Sequence, residues 1–221
     1  MCAYPWTVAL PRAILLTMLD QPLRDRPAER REATRLEILD AAWDLAREKG
    51  LADLTLRDVA TRIGMRAPSL YSYFASKNAI YDAMFGQAWA EYLAVVTAAE
   101  PTLPRSRRAA LKTLARTFFD YAVADLPRHQ LMNQRIIPGF VPSPESYAPA
   151  VEVLERARAH LSRFGVDEPG DFDLFTALIG GLVDAQQAND PGGNRWARLL
   201  DKAVDMFVDH LDPPPSRRRQ P

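Results

Sequence analysis

The segment that most constrains the fold of this chain is residues 55–74, which read TLRDVATRIGMRAPSLYSYF. Thr55 precedes an apolar run of helical spacing, and Asp58 follows three residues later, so the two side chains can cap the free amides of a helix. Gly64 stands where the chain leaves that helix, a position that favours positive φ, and Pro68 suits the first turn of another helix. The segment therefore predicts two short helices that cross steeply at a tight turn.

The apolar and polar residues of this segment fall into two sets that can face opposite sides of the two helices. The apolar side chains can face one small core, and they are Leu56, Val59, Ala60, Ile63, Met65, Leu70 and Phe74. The outward side chains are Arg57, Arg66, Ala67, Ser69, Tyr71, Ser72 and Tyr73. Arginine can bind guanine or phosphate, hydroxyls can donate to phosphate oxygens, and a small side chain can approach a thymine methyl. DNA binding is the favoured interpretation, and a helical hairpin with an ordinary solvated face is the alternative.

The flanking residues extend the pattern to a three-helix domain. Residues 34–49 carry an apolar stripe of helical spacing that closes at Gly50, which predicts a first helix packed on the other two. Ser76 is a candidate cap for a further helix, with Lys77 in its first turn, near the expected path of a DNA backbone.

With its glycine spacing, its LYSYF run and its SK pair, the stretch covering roughly residues 34–85 closely resembles the N-terminal domain of the tetracycline-repressor (TetR) family of bacterial transcription regulators. The resemblance implies a DNA-binding set in which phosphate contacts fall to Ser69, Tyr71, Tyr73 and Lys77, base contacts to Arg57, Arg66, Ala67 and Ser72, and the set is completed by Thr55 and Pro68. Arg66 departs from the family pattern, because a capping serine is common at that position.

The fold class expected is all-α, with a three-helix helix-turn-helix domain followed by a larger helical ligand-binding and dimerisation domain. We expect an extension at residues 1–30, the DNA-binding domain at residues 31–85, the effector domain at residues 86–212 and a basic tail at residues 213–221. Helical patterns punctuated by proline predict helices at residues 77–99, 106–126, 128–136, 146 or 148 to 164, 171–188 and 195–211. The proline-rich residues 138–149 are expected to form a long loop.

The last two predicted helices suggest a two-fold four-helix bundle. A glycine inside a helix costs about 1 kcal/mol relative to alanine, so the pair Gly180 and Gly181 suggests close packing that offsets this cost. The predicted dimer interface consists of Phe175, Ile179, Gly181, Leu182, Ala185, Trp196, Leu200 and Phe207. The alternative is that these helices only complete the core of one subunit.

A small-molecule cavity is the second prediction for this region. Apolar cavities with a few polar groups are typical of such sites, and the candidate lining is Phe118, Phe119, Tyr121, Met132, Phe140, Tyr147, Phe175 and Gln186. Aromatic side chains at this spacing would alternatively form ordinary core.

Enzymatic chemistry finds little support in the sequence. The three histidines, His129, His160 and His210, are dispersed, and common nucleotide-binding, zinc-protease and serine-hydrolase motifs are absent. The single cysteine, Cys2, excludes an intrachain disulfide and suits a reducing cytoplasm. No apolar run approaches the ~20 residues that span a bilayer. We therefore expect no catalytic residues, no bound metal and no cofactor.

The sequence as a whole predicts a cytoplasmic, homodimeric regulator that binds a palindromic DNA operator and responds to a small-molecule effector, with repression as the commoner outcome in the family. The alternative is a helical small-molecule-binding or enzyme module that retains a vestigial helix-turn-helix.

Overall fold

The computed structural model describes residues 25–212. All regular secondary structure among these residues is helical, as predicted. The described residues form nine α-helices: α1 Arg26–Lys49, α2 Leu56–Arg62, α3 Ala67–Leu70, α4 Lys77–Ala99, α5 Arg107–Ala124, α6 Leu126–Asn133, α7 Pro144–Arg163, α8 Pro169–Asn189 and α9 Leu200–Leu211. Short 3-10 helices lie at Glu100–Thr102 and Ala197–Leu199.

The chain divides into two compact units, Met1–Leu36 and Glu37–Pro221. Of the first unit the structure describes residues 25–36, which belong to α1. This helix begins earlier than residue 34, where the sequence pattern placed its start, because the Asp25 side chain accepts a hydrogen bond from the Ala28 amide at 3.2 Å. Residues 26–30, assigned above to the extension, are therefore helical. Residues 1–24 of the extension and the basic tail lie outside the described residues.

The first core of the second unit contains buried side chains from α1, α2, α3 and α4. The buried side chains Val59, Ala60, Leu70 and Phe74 of the helix-turn-helix segment pack in it, and Leu56, Ile63 and Met65 lie against it, as predicted. The α4 side chains Ile80, Tyr81 and Met84 are fully buried in the same core. The boundary expected between residues 85 and 86 thus falls inside α4, so one continuous helix belongs to both proposed domains.

A second core is formed by α5, α8 and α9, with large buried side chains such as Leu111, Phe119, Phe175, Leu200 and Phe207. Burial of apolar surface on this scale is the main stabilising contribution to a helical domain.

The first turn of α7 is held against α4. The Asp82 carboxylate accepts hydrogen bonds from the Ser143 amide at 2.6 Å, the Ser143 hydroxyl at 2.9 Å and the Ser146 hydroxyl at 2.9 Å. A side chain at Gly86 would bring its Cβ to 3.2 Å from Ser146, so glycine allows the two helices to approach closely here.

The prediction of a long loop at residues 138–149 is wrong for residues 144–149, which belong to α7. The Ser143 hydroxyl accepts a hydrogen bond from the Ser146 amide and begins α7, with Pro144 in the first turn and Pro149 inside the helix. Proline is tolerated in a first turn because the amide it lacks would have no partner there. For the same reason Pro127 is tolerated in the first turn of α6. None of the helices in the described part of the chain is long and apolar enough to cross a membrane.

Candidate nucleic-acid interface and ligand cavity

The helix-turn-helix segment begins with the predicted cap. The Thr55 hydroxyl accepts a hydrogen bond from the Asp58 amide at 3.2 Å and donates to the Asp58 carboxylate at 2.6 Å. Lys49 also donates to this carboxylate, and its hydrogen bond is the largest cause of the lowered pKa of Asp58, followed by that of Thr55. The Thr55 side chain therefore orients α2, and its role in the interface is to position the segment.

Replacing Thr55 with alanine is expected to lower the free energy of unfolding by about 0.5–2 kcal/mol, because the α2 cap is lost. The matched control is Thr61→Ala, since the Thr61 hydroxyl only donates to the Arg57 carbonyl within the same helix. Urea denaturation of the two variants measures the difference. Equal stability of both variants would contradict a capping role.

The turn between α2 and α3 matches the sequence prediction. Gly64 has a φ of 67°, and the Met65 amide donates to the Ala60 carbonyl at 2.8 Å. Pro68 lies in the first turn of α3. The Arg66 side chain makes no capping hydrogen bond, so its guanidinium projects from the start of α3 without serving the helix.

The predicted DNA-binding residues lie together on α2, α3, the following turn and the start of α4. Those exposed to solvent are Thr55, Arg57, Arg66, Pro68, Ser69, Tyr71 and Ser72, and those partly buried are Ala67, Tyr73 and Lys77. Tyr71 is 55% exposed. The segment thus presents one contiguous set of guanidinium, hydroxyl and small side chains.

Lys77 also has a structural contact that the sequence did not indicate. Its Nζ donates to the Ala52 carbonyl at 2.8 Å and lies 5.3 Å from the centre of the Tyr81 ring. Burial is the main cause that lowers the pKa of Lys77, while Asp53 acts in the opposite direction. A lysine ammonium has three donors, so one hydrogen bond to the protein leaves others for a phosphate.

A cavity of about 600 Å³ lies between α4, α5, α6, α7 and α8. Three of the predicted ligand-binding residues, Phe118, Tyr147 and Phe175, line it. The sequence analysis missed several other large lining residues, namely Trp89, Tyr92, His129, His160 and Phe172. They lie on four different helices, so no local pattern could have grouped them.

The other five predicted ligand-binding residues do not line this cavity. Phe119 is buried in the second core, and Met132 in the first. Tyr121 donates its hydroxyl hydrogen to the Ala88 carbonyl at 2.8 Å, and Phe140 packs edge-on against Tyr81 with ring centres 5.8 Å apart. These side chains are core, as the alternative interpretation had it.

The fifth of them, Gln186, closes the turn after α8. Its Oε1 accepts hydrogen bonds from the amides of Trp196 at 2.9 Å and Ala197 at 3.2 Å, and its Nε2 donates to Asp190. With both ends of its amide group paired, Gln186 has a structural role that the sequence alone did not reveal.

The predicted dimer residues fall into two groups. Phe175, Ile179, Leu200 and Phe207 are buried in the second core of one subunit, so they offer almost no surface to a partner and are left out of the proposed interface. Gly181 is exposed, and Leu182, Ala185 and Trp196 are partly exposed. Leu174 and Met206, which the sequence analysis did not include, are 48% and 64% exposed. An added Cβ at Gly180 or Gly181 would meet nothing within 4 Å, so packing within the subunit does not require these glycines.

Helix α6 contacts α1 and also lines the cavity. Asp125, its cap, forms an ion pair of 2.8 Å with Arg47 of α1. The Arg128 guanidinium lies 4.9 Å from the ring centre of Trp43, also on α1. The next residue, His129, lines the cavity and is bound to Asp184 at 3.0 Å.

Comparison with protein-family models matches residues 38–84 to the tetR family of bacterial regulatory proteins. Over 47 residues the chain is 43% identical to the class A tetracycline repressor from transposon 1721 of Escherichia coli, a match that covers 21% of this chain and 22% of that protein. An uncharacterized HTH-type transcriptional regulator of Mycobacterium tuberculosis is 47% identical over 49 residues, or 22% of this chain and 23% of the relative. The chain thus spans less than a quarter of the length of these relatives.

Similarity in structure extends much further along the chain. The TetR family regulator PfmR from Thermus thermophilus has a TM-score of 0.59 and 23% identity, and the match covers 77% of this chain and 96% of PfmR. FadR from Bacillus subtilis, solved in complex with stearoyl-CoA, has a TM-score of 0.60 and 16% identity over 78% of this chain and 97% of FadR. These likenesses establish the fold, and the match to the tetR family of bacterial regulatory proteins covers residues 38–84 of this chain.

Proposed function

We propose that this protein is a sequence-specific DNA-binding transcriptional regulator, that it binds a palindromic operator as a homodimer, and that a small molecule in the cavity weakens its DNA binding. The observation that carries the proposal is the exposed set on α2 and α3, with Arg57, Arg66, Ser69 and Tyr71 held on a capped and well-packed frame. An arginine guanidinium can form two hydrogen bonds with the edge of a guanine, and hydroxyl groups can donate hydrogen bonds to phosphate oxygens. Repression is the proposed outcome, and a cytoplasmic location stays a prediction.

Dimerisation is supported by the outer face of α8 and α9. Leu174 and Gly181 are exposed seven residues apart on α8, and Met206 is exposed on α9. Small residues allow the backbone of a second subunit to approach, and a two-fold axis would place two α2–α3 segments on successive half-sites. The proposed interface therefore keeps Gly181, Leu182, Ala185 and Trp196 from the sequence prediction.

Ligand control is supported by the position of α6. Occupants of the cavity would contact His129, while the preceding residues Asp125 and Arg128 hold α1 through Arg47 and Trp43. A ligand shifts DNA affinity only if it binds the DNA-competent and DNA-incompetent states with different strength. Because α6 contacts both the cavity and α1, a ligand that shifts α6 would bind the two states with different affinity. The stearoyl-CoA bound to FadR is an example of a ligand held by a similar fold.

The proposed function is tested by selecting bound sequences from a random DNA pool with the wild-type protein and titrating the selected duplex. Arg66→Ala should lower affinity by about 1–3 kcal/mol and relax the preference at one base pair, if Arg66 reads a base. Tyr71→Phe should weaken binding to all sequences alike, because a phosphate contact carries no sequence information. Arg163→Ala, an exposed arginine at the end of α7, is the control and should leave affinity unchanged.

Selection that enriches no sequence would favour the alternative, a helical small-molecule-binding module with a vestigial helix-turn-helix. Unchanged affinity in both Arg66→Ala and Tyr71→Phe would place the DNA contact elsewhere on the molecule.

A further inference from the structure

The start of α7 lies at the cavity and is attached to α4 at the same point. Tyr147, in the first turn of α7, lines the cavity, and its ring stacks on Phe85 of α4 with the planes 8° apart and the centres 5.8 Å apart. The preceding residue, Ser146, and the cap of the helix, Ser143, both donate hydrogen bonds to Asp82 of α4. A residue of the cavity wall is therefore one peptide bond away from the Asp82 contact.

The Asp82 contact joins the two helices firmly. The carboxylate accepts three hydrogen bonds, of 2.6, 2.9 and 2.9 Å. Hydrogen bonds to a charged acceptor are roughly twice as strong as neutral ones, and the helix dipole further favours a negative charge at the start of a helix. Among the helices of the described residues, α4 and α7 also pack most extensively on each other. A displacement of the start of α7 therefore acts directly on α4.

Tyr81, the neighbour of Asp82 on α4, is bound to the segment that precedes α2. Its side chain is fully buried, and its hydroxyl donates to the Leu51 carbonyl. Burial raises the pKa of Tyr81 to about 12, so the hydroxyl keeps its hydrogen and remains a donor. Lys77, one turn earlier on α4, donates to the Ala52 carbonyl at 2.8 Å. The connection from α1 to the helix-turn-helix segment is thus held from α4 at two consecutive carbonyls.

We infer that Asp82 is a positioning residue through which an occupant of the cavity moves the DNA-binding segment. An occupant that displaces Tyr147 displaces the start of α7, and Asp82 passes this displacement to α4. Tyr81 then passes it to the carbonyl of Leu51. The inference rests on the proposed function, because it names a route for the ligand control proposed there. This route is separate from the one through α6, which reaches α1.

A continuous set of contacts makes coupling possible, and only a measured coupling demonstrates it. A tethered occupant supplies that measurement. Leu154 lines the cavity two turns after Tyr147 and is 41% exposed. Because Cys2 is the single cysteine, Leu154→Cys combined with Cys2→Ala places the only thiol of the full-length chain at the cavity. Reaction with N-phenylmaleimide attaches a phenyl group there, and mass spectrometry verifies complete labelling.

The measured quantity is the ratio of affinities for the selected duplex before and after labelling. With the Asp82 contact intact, labelling should weaken DNA binding by about 5- to 150-fold, the usual range of allosteric coupling. With Asp82→Ala added, the ratio should fall below about 3-fold. Ser146→Ala removes one of the three hydrogen bonds and leaves α7 capped by Ser143, so its ratio should be intermediate. Tyr81→Phe keeps the buried ring, removes only the hydroxyl, and should also lower the ratio.

Asp205→Ala is the matched control. The Asp205 carboxylate on α9 also joins two helices, because it accepts hydrogen bonds from Arg108 and Lys112 of α5 at 2.9 Å each. It lies outside the route through α7 and α4, so the full effect of labelling should remain in this variant. Each ratio is taken within one variant, so a general loss of stability or of DNA affinity does not imitate the expected result.

The outcomes separate this inference from the proposed function. A ratio in Asp82→Ala equal to that of the intact contact would overturn the inference and leave ligand control to the route through α6. A ratio that falls equally in Asp205→Ala would also overturn it, because the loss would not be specific to the route. Labelling without effect while the contact is intact would overturn both the inference and ligand control. DNA binding itself has its own readout, the affinity of the unlabelled protein for its selected duplex.

Discussion

Replacing Gly181 with leucine is expected to dissociate the proposed dimer while each subunit stays folded. Nothing lies within 4 Å of an added Cβ at this position, and leucine is a better helix former than glycine. The same side chain would overfill a close contact between two α8 helices, at a cost of about 1–3 kcal/mol for each subunit. Because the two-fold axis presents the change twice, the dimer dissociation constant should rise by about 30-fold or more.

Sedimentation and DNA titration together measure this effect. A subunit that has lost its partner must bind one half-site alone, so affinity for the selected duplex should fall by about 10²- to 10⁴-fold. The variant should keep the helical circular-dichroism spectrum of the wild type, and its melting temperature should fall only by the contribution of subunit association. Gly170→Leu is the matched control, because Gly170 is exposed in the first turn of the same helix and an added Cβ also meets nothing within 4 Å. A wild-type monomer at micromolar concentration, or a Gly181→Leu dimer of wild-type strength, would contradict the proposed interface.

Replacing Trp43 with alanine should cost about 3–5 kcal/mol in the free energy of unfolding. The Trp43 side chain is 2% exposed in the first core, and its Nε1 donates to Gln87 at 2.9 Å. Truncation would leave a cavity beneath the Arg128 guanidinium and remove the donor to Gln87. A loss of this size is a large part of the total stability of a typical domain, so the unfolding midpoint should move to a clearly lower urea concentration.

Trp43→Phe is the control, since it keeps most of the apolar volume and loses only the indole N–H and some ring area. It should be destabilised by a smaller amount, about 1–2 kcal/mol. Urea denaturation followed by circular dichroism compares the two variants with wild type. A Trp43→Ala curve that coincides with that of Trp43→Phe would show that the packing of α1 does not depend on this ring.

Local signals in the sequence were sufficient for the helix-turn-helix segment. Thr55 and Asp58 form a cap within one turn, and Gly64 has the positive φ that its position required. Such interactions connect residues a few positions apart, so residue type and spacing determine them. The all-α class and the start of α2 at Leu56 were predicted for the same reason.

Interactions between residues that are distant in the sequence could not be predicted. The sequence analysis assigned Gln186 to the cavity lining as a polar residue. In the structure its side-chain oxygen instead accepts a hydrogen bond from the amide of Trp196, ten residues later, and closes a turn. Phe175 and Phe207 have the apolar character of an interface, but their rings pack on each other with centres 5.1 Å apart inside one subunit. Periodicity identifies the apolar face of a helix and does not say which neighbour covers it. Residues of the cavity wall likewise meet only after the helices have packed.

The continuity of α4 has a mechanical consequence. Lys77 stands in its first turn beside the DNA-binding segment, and Tyr92 lines the cavity fifteen residues later. At 1.5 Å per residue the two positions are about 22 Å apart along a stiff rod. A tilt of about 5° at the cavity end would therefore displace the other end by roughly 2 Å, and in a symmetric pair the separation of the two DNA readers would change by up to about 4 Å. Half-sites on B-DNA lie about 34 Å apart, so in the proposed dimer a lever of this length would convert a small change of angle into a mismatch with the pitch of the double helix.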